Sequence, residues 1–240
     1  FEALTTSGTV NNTVVDDSDA TSVTLTANAA NVTEGGSIVY TATVGSPVTG
    51  SPLVITLTGG TTITIPVGAS SANSAPVAVR ADDAYTQGTE VVTRGITGTS
   101  GGNYEALTTS STVSVNVTDD ADATTVTLSS ATNGNAITEG GSIVYTATVG
   151  APVAGSPLLV TLSNGATITI PVGSSSANSA PVAVRADDVY VQGSQTLTAV
   201  TISSTSGGNF EALTTSGTVN NTVVDDTDAT SVTLTANAAN

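Results

Sequence analysis

Several residue types are missing from this chain. It contains no cysteine, histidine, lysine, methionine or tryptophan, and its only basic residues are three arginines. Without cysteine there is no disulfide framework and no cysteine-ligated zinc site. Without histidine, cysteine or lysine, a catalytic site would rest on carboxylates, tyrosine and hydroxyl groups alone. These absences argue against an enzyme. They also mean that any cross-link that stabilises the fold must come from another source, and a bound metal ion is a common one.

Positive charge is also nearly absent. The 240 residues carry a formal net charge of −16, so nothing is available to neutralise the phosphates of a nucleic acid or an anionic membrane surface. No apolar run is long enough to span a bilayer. We therefore expect no nucleic-acid partner and no membrane insertion. A charge of this size also opposes compactness through self-repulsion unless cations bind.

The residues that dominate are threonine, serine, valine and glycine, which favour strands and turns and predict an all-β protein. Alternating apolar and polar positions mark seven short strands per repeat, separated by glycine-rich turns. This pattern is typical of an immunoglobulin-like β-sandwich. In the first repeat the predicted strands are 22–27, 37–44, 52–57, 61–67, 76–81, 90–97 and 112–119.

An internal repeat of about 105 residues sets the organisation. TEGGSIVYTATVG at 33–45 recurs unchanged at 138–150, and SSANSAPVAVRADD at 70–83 recurs at 175–188. Residues 210–240 match residues 1–31 except that Thr227 replaces Ser18. We therefore expect tandem domains in a linear array, cut from a longer one. The predicted parts are 1–17 as the last strand of a preceding repeat, 20–120 and 123–226 as two immunoglobulin-like domains, and 229–240 as the first strand of a following repeat.

Acidic residues are concentrated in the turns. A stretch with the pattern DD-x-DAT joins successive domains at 16–21, 119–124 and 225–230, and each repeat adds the glutamate of TEGG and an Asp-Asp pair. Alternating strand directions bring the three groups to one end of a domain. Many carboxylate oxygens in one place suit Ca²⁺ better than zinc or copper. The candidate Ca²⁺ ligands are Asp16, Asp17, Asp19, Glu34, Asp82, Asp83, Asp119, Asp120, Asp122, Glu139, Asp187, Asp188, Asp225, Asp226 and Asp228.

The simpler interpretation is that these acids are solvated turn residues, because Asp-Asp pairs commonly form Asx turns without any ligand. Three such groups repeated in register, with almost no basic residues to offset them, favour calcium instead. With so few cations in the chain, we expect the positive partner of the acidic stretches to be a metal ion rather than a protein side chain.

Taken together, these motifs resemble a known family. TEGG, a mid-domain Asp-Asp followed by Gln87-Gly88 or Gln192-Gly193, and a terminal VTDD resemble the Calx-β pattern of calcium-binding sandwiches. TEGGSIVYTATVG, ITIPVG and GGNFEALTTSGT are similar to the tandem repeats of giant, type I-secreted, RTX-type adhesins of Gram-negative bacteria, including biofilm and ice-binding ones. Glutamate often stands in the Calx-β pattern where this chain has Gln87 and Gln192, which indicates fewer ions or weaker binding.

The resemblance implies a role as well as a fold. Such repeats are non-catalytic extenders at the bacterial cell surface that hold terminal ligand-binding modules away from the cell. Calcium at the joints stiffens the rod, which makes Asp119, Asp120 and Asp122 joint ligands. The partners implied are neighbouring repeats of the same chain and, laterally, other copies of it.

Four other functions can be weighed against the same sequence features. A self-assembling extracellular filament or surface-layer subunit would have the same repeats, and lateral contacts or strand exchange would favour it. Glycoside hydrolysis by paired carboxylates is disfavoured by identical sites in every repeat. A sugar-binding module would usually need exposed aromatic residues. Ice binding by Thr-x-Thr rows competes with the ordinary preference of threonine for strands.

Overall fold

The computed structural model describes residues 2–4 and 6–237. The chain divides into two compact units, each described by itself. Unit 1 consists of residues 1–82 and 89–118, and unit 2 of residues 83–88 and 119–240. Every regular element in the described residues is a β-strand, which confirms the predicted all-β fold. Within the same residues, no helix has the length and apolar character needed to cross a membrane.

Unit 1 contains eleven strands. They are β1 (Ala20–Ala27), β2 (Asn31–Thr33), β3 (Ser37–Ile38), β4 (Tyr40–Val44), β5 (Leu53–Leu57), β6 (Thr62–Ile65), β7 (Ser71–Asn73), β8 (Val77–Ala78), β9 (Glu90–Ser100), β10 (Ala106–Thr108) and β11 (Thr112–Thr118). One sheet has the order β10-β1-β4-β7 and the other the order β2-β11-β9-β5-β6, while β3 pairs with β8 alone. β2 runs parallel to β11, and β9 antiparallel to it.

The core of unit 1 lies between these two sheets. Leu25 and Tyr40 from one sheet pack in the same buried cluster as Ile55 and Ile63 from the other. Successive strand residues point to opposite faces, so the threonines between these apolar positions face outward. Burial of each large aliphatic side chain contributes about 1.5–3 kcal/mol, which is how a chain with so few aromatic residues builds a core.

Unit 2 repeats the architecture with twelve strands. They are β12 (Ala123–Ser129), β13 (Ala136–Thr138), β14 (Ser142–Ile143), β15 (Thr146–Val149), β16 (Leu158–Leu162), β17 (Thr167–Ile170), β18 (Ser176–Asn178), β19 (Val182–Ala183), β20 (Gln195–Thr196), β21 (Ile202–Gly207), β22 (Ala212–Ser216) and β23 (Thr222–Val224). The sheet orders are β18-β15-β12-β22, β13-β23-β20 and β17-β16-β21, with β14 paired to β19. Val126, Tyr145, Val160 and Ile168 belong to its core.

The second sheet differs between the units. In unit 1 the 11-residue β9 joins β11 to β5 in a single sheet. In unit 2 the corresponding chain is interrupted between β20 and β21, which leaves two smaller sheets. One more residue separates Asp187 from Asn209 than separates Asp82 from Asn103. Because strand faces alternate with a period of two, an extra residue breaks the register of a continuous strand.

The predicted strand boundaries of the first repeat need correction. The strand predicted at 76–81 is only the two-residue β8, and the strand predicted at 37–44 is interrupted at Val39. Three short strands, β2, β7 and β10, were not predicted because three residues carry no recognisable alternation. Each of the three lies on the edge of its sheet.

The chain ends carry no strand among the described residues 6–19 and 225–237. Phe1, Thr5 and residues 238–240, which belong to the predicted terminal strands, lie outside the described residues. Those strands were predicted to pair within neighbouring repeats, so the assignments of 1–17 and 229–240, like the domain limits 20–120 and 123–226, stay predictions.

Candidate metal centre

The centre of the acidic site in unit 2 is Glu139, in the turn that follows β13. Its side chain is buried, with the residue 5% exposed. Its backbone N–H donates to the carbonyl oxygen of Val224 at 2.9 Å, which fixes the turn against the end of β23. Arg185 Nε donates to Glu139 Oε2 at 2.8 Å, and Arg185 Nη2 lies 2.8 Å from the same oxygen. One guanidinium thus balances the buried charge.

The glycine after Glu139 lets an aspartate approach this turn. Gly140 has φ of +71°, and a Cβ built on it would lie 2.9 Å from Asp187 Cβ. Residues other than glycine rarely adopt this backbone conformation, and a Cβ at this position would leave no room for Asp187. The Gly140 N–H also donates to the Arg185 carbonyl oxygen at 2.8 Å. The TEGG motif therefore brings the Asp-Asp loop against Glu139.

Three carboxylates meet at this place. Glu139, Asp187 and Asp226 each offer an oxygen, and these oxygens lie within 4.8 Å of one another. They could hold a metal ion. Beside them is an open recess of about 210 Å³ that further acidic residues also line. Its lining is Glu139, Asp188, Val189, Tyr190, Val191, Asp225, Asp226, Thr227 and Asp228.

Hydrogen bonds hold the loop that carries the second aspartate. Asp188 Oδ1 accepts from the Tyr190 N–H at 2.8 Å, and Asp188 Oδ2 accepts from the Gln192 side-chain amide. Gln192 N–H donates to Asp225 Oδ2 at 3.1 Å, and Arg185 Nη2 reaches Asp225 Oδ1 at 3.0 Å. Asp188 and Asp225 therefore order the loop, whereas Asp187 and Asp226 form the acidic cluster with Glu139.

Burial, and then the neighbouring carboxylates, raise the pKa of two of these groups. Burial raises the pKa of Glu139, partly offset by Arg185, with a further rise from Asp225. Partial desolvation raises the pKa of Asp228, and the carboxylates of Asp226, Asp187, Asp188 and Asp225 raise it further. Protons therefore compete for this site at a higher pH than they would for unperturbed carboxylates, and a bound cation would relieve the repulsion among the acids.

Unit 1 contains the equivalent turn. Glu34 is buried, and Arg80 Nε donates to Glu34 Oε2 at 2.6 Å. A Cβ on Gly35 would lie 2.9 Å from Asp82 Cβ, as at Gly140. The other carboxylate oxygen, Glu34 Oε1, is buried and has no hydrogen-bond partner among the described residues. A buried carboxylate oxygen without a donor is costly and is the kind of atom that a bound cation satisfies.

The remaining predicted ligands of the first repeat belong to unit 2. Asp83 accepts from the Tyr85 N–H at 2.8 Å, and Asp119 Oδ2 accepts from the Gln87 N–H at 2.7 Å, so both order the segment 83–88. Asp122 donates its N–H to the Glu211 carboxylate. Asp120 is exposed.

At the start of the chain, Asp16, Asp17 and Asp19 are exposed, and the Asp19 N–H donates to the Glu105 carboxylate. The structure brings none of these three into a cluster of acidic ligands among the described residues. Their assignment as ligands stays a prediction, as it does for the other candidates.

Two arginines pair with the acids, although the sequence predicts a metal ion and no protein cation there. Arg80 and Arg185 each pair with the buried glutamate of their own unit. An arginine stands two residues before the Asp-Asp pair in both repeats, which is the signal that could have predicted this pairing. Glu105 and Glu211 were not predicted as part of the site either, although each accepts the N–H of the last aspartate in an acidic stretch.

Comparison with known proteins gives one match. The family model of the LapA domain matches residues 19–120 and again residues 122–227. Among curated proteins no match is found.

Proposed function

Since this chain belongs to the LapA domain family, we propose that its repeats are non-catalytic extenders of a large bacterial cell-surface adhesin. LapA is a large biofilm adhesin, and a bacterial adhesin-type repeat is the role that the family supports. Two copies of one sandwich in tandem suit this role, because they add length without adding a different site. The adhesive modules would lie elsewhere in the full protein. We propose that type I secretion exports this protein.

Calcium is the proposed ligand of the acidic clusters. In unit 2 the clustered ligand atoms of Glu139, Asp187 and Asp226 are carboxylate oxygens, which hard cations prefer, and no thiol or imidazole is present anywhere in the chain. Six acidic side chains surround or line the recess, against the single charge of Arg185. The buried and unpartnered Glu34 Oε1 in unit 1 carries the proposal most directly.

The proposed role of the ion is to stiffen the stretches that join successive repeats. A connection of about three residues bends freely unless its carboxylates are fixed by metal–oxygen bonds. Extracellular calcium modules bind at about 10⁻⁴–10⁻³ M. With free calcium tenfold above the dissociation constant, each site adds about 1.4 kcal/mol of stability. Low calcium inside the cell would keep the joints flexible during export, and the higher calcium concentration outside would make them rigid.

Isothermal titration of the whole chain with Ca²⁺ tests the site in unit 2. The double variant Asp187→Asn, Asp226→Asn keeps the shape of both side chains and removes two of the three clustered charges. It should bind fewer ions than the parent chain, or weaken one site by at least about tenfold, because ligand charge sets affinity. Acidification should also weaken calcium binding by the parent chain, since the pKa of Glu139 and that of Asp228 are raised and protonation removes the charge that binds the ion.

The matched control is the double variant Glu2→Gln, Glu90→Gln, which also removes two negative charges, but from exposed positions of unit 1. It should leave the number of ions bound by unit 2 and their affinity unchanged. Equal loss in both double variants would show that calcium responds only to net charge, and unchanged binding by Asp187→Asn, Asp226→Asn would contradict the assignment of these two residues.

A further inference from the structure

A cavity of about 420 Å³ opens in unit 2 beside the interrupted sheet. It lies next to residues 197–200, in the stretch between β20 and β21. Its walls are mostly apolar and include Ile143, Val182 and Leu197. Small-molecule sites usually have volumes of about 300–1,000 Å³ and mostly apolar walls. The cavity therefore has the size and the walls of a small-molecule site.

In unit 1 the side chain of Arg94 occupies the equivalent place. A Cβ on Gly59 would lie 3.2 Å from Arg94 Cζ, so the guanidinium lies against the turn between β5 and β6. Burial raises the pKa of Tyr40, and the Arg94 guanidinium lowers it in part, as a cation beside the Tyr40 hydroxyl does. Arg94 therefore fills the space between this turn and the tyrosine.

Unit 2 has the same tyrosine but no arginine at this place. Tyr145 stands in SIVYTATVG, which is identical in the two repeats. Val113 and Val219 end the same sequence, EALTTS-x-TV, in the two repeats. Arg94 pairs with the first of these valines, and Val200 bridges to the second. Because valine is much shorter than arginine, the space is not filled in unit 2, where Tyr145 and Val200 both line the cavity.

The hydroxyl group of Tyr145 can bond to a molecule in the cavity. Asn164, which stands where unit 1 has Gly59, donates its side-chain amide to Tyr145 Oη at 3.4 Å. Both Asn164 and Tyr145 line the cavity. A phenol oxygen that accepts a hydrogen bond still has its own O–H to donate. Tyr145 is buried, and a buried donor favours a ligand that carries a hydrogen-bond acceptor.

The charges around the cavity favour an uncharged ligand. No acidic side chain lines it within the part of the chain that the structure describes, so a cation would find no ion-pair partner. Arg185 lines it, but the guanidinium is already bound by the carboxylates of Glu139 and Asp225. An anion would therefore find no free cation and would be repelled by a chain of charge −16.

We propose that this cavity binds a small uncharged molecule that has an apolar body and one hydrogen-bond acceptor, with Tyr145 Oη as the donor. The apolar walls bury the body of the ligand. We expect one molecule per chain, because Arg94 occupies the equivalent place in unit 1. The site is separate from the acidic cluster, and it depends neither on calcium nor on the proposed extender role.

The first test is a titration of the whole chain with para-fluoroacetophenone in the presence of chelator. This probe is an uncharged aromatic ketone, and fluorine NMR follows its binding. We expect saturable binding of one molecule per chain with a dissociation constant of about 1 mM or below, as is reasonable for a ligand of this size. The anion para-fluorobenzoate has nearly the same shape and should not bind. Absence of saturable binding by the ketone would overturn the proposal.

Two variants locate the site. Val200→Arg with Asn164→Gly gives unit 2 the arginine and glycine of unit 1, which are accommodated there beside the same tyrosine. This exchange should weaken binding at least about tenfold, because the arginine fills the cavity. Tyr145→Phe keeps the ring and removes the O–H, so it should weaken binding about three- to tenfold. Tyr40→Phe is the matched control in unit 1 and should leave binding unchanged.

Backbone NMR of the parent chain shows where the ketone binds. The amide signals of Leu197, Thr198 and Val200 should move on titration, since these residues line the cavity. Signals that move only at the exposed Val189 and Val191 would show adsorption to the surface and overturn the proposal. So would equal effects of Tyr145→Phe and Tyr40→Phe on the dissociation constant, or full binding by a folded Val200→Arg, Asn164→Gly chain.

Discussion

Glycine decides the geometry of the acidic site at the scale of single residues. Gly35 and Gly140 combine a left-handed backbone with a close approach to an aspartate Cβ. The second requirement is separate from the first, since Gly173 has φ of +84° with nothing within 4 Å of its Cβ position. Substitution of Gly140 and of Gly173 therefore separates the cost of backbone strain from the cost of crowding at the acidic site.

Gly140→Ala should destabilise unit 2 by more than Gly173→Ala. The control carries only the cost of a left-handed alanine, about 1–2 kcal/mol, whereas Gly140→Ala must also push Asp187 away from Glu139. Chemical denaturation in chelator measures both costs, and calcium titration should show weakened binding for Gly140→Ala alone. Equal stability losses and equal calcium affinity in the two variants would contradict the role given to the TEGG turn.

The clustered acidic residues could be predicted from the sequence, but the arginines that pair with them were not predicted. The repeat marks Glu139, Asp187 and Asp226 as a set, because each recurs at the same offset, and the structure brings these three together. Arg185 was overlooked because three arginines seem too few to matter in a chain of charge −16. A low global count does not exclude a local pair, and two of the three arginines bind the two buried glutamates.

At the scale of elements, the two units differ most where β9 corresponds to β20 and β21. The interruption at 197–201 lies beside a cavity of about 420 Å³ lined by Tyr145, Leu197 and Val200 among others. An isolated antiparallel bridge from Val200 to Val219 and a hydrogen bond from the Leu197 N–H to the Asn221 carbonyl oxygen remain there. Fewer ladder bonds and a less filled interior favour local opening.

Amide hydrogen exchange should detect this difference. Thr198 and Ala199, in the interruption, should exchange at least about tenfold faster than Val92 and Arg94 in the continuous β9, which pair with β11. Backbone NMR on the whole chain resolves these positions. Ile63 in β6 and Ile168 in β17 are matched core positions of the two units and should be protected alike. Equal protection of Thr198 and Arg94 would contradict the interrupted sheet.

The limits of strand prediction follow from length. β5 and β16 are five-residue strands with three buried positions each, and alternation finds them. β7 has the sequence Ser-Ala-Asn, and only its pairing with β4 makes it a strand. The split of β9 into β20 and β21 comes from a single added residue, whose effect depends on the partner strands and not on the local sequence.

At the scale of the whole molecule, the negative charge affects how successive repeats can pack. A net charge of −16 in a chain with a pI of about 4.1 opposes close packing of successive repeats. Cations bound by the acidic stretches would remove that repulsion where it is greatest. The stretch 119–122 joins the two repeats in sequence, and by the repeat offset Glu34, Asp82 and Asp120 are the counterparts of Glu139, Asp187 and Asp226.

Small-angle X-ray scattering of the whole chain, titrated with Ca²⁺ and then with chelator, tests the central claim most directly. We expect calcium to narrow the distribution of interatomic distances toward that of a stiff particle, and chelator to broaden it again. Asp82→Asn with Asp120→Asn should abolish the effect. Asp187→Asn with Asp226→Asn should keep it, because those residues cluster with Glu139 of the second repeat and lie outside the stretch that joins the two repeats. A chain equally stiff in chelator, or two double variants that behave alike, would contradict calcium as the agent that stiffens the repeats.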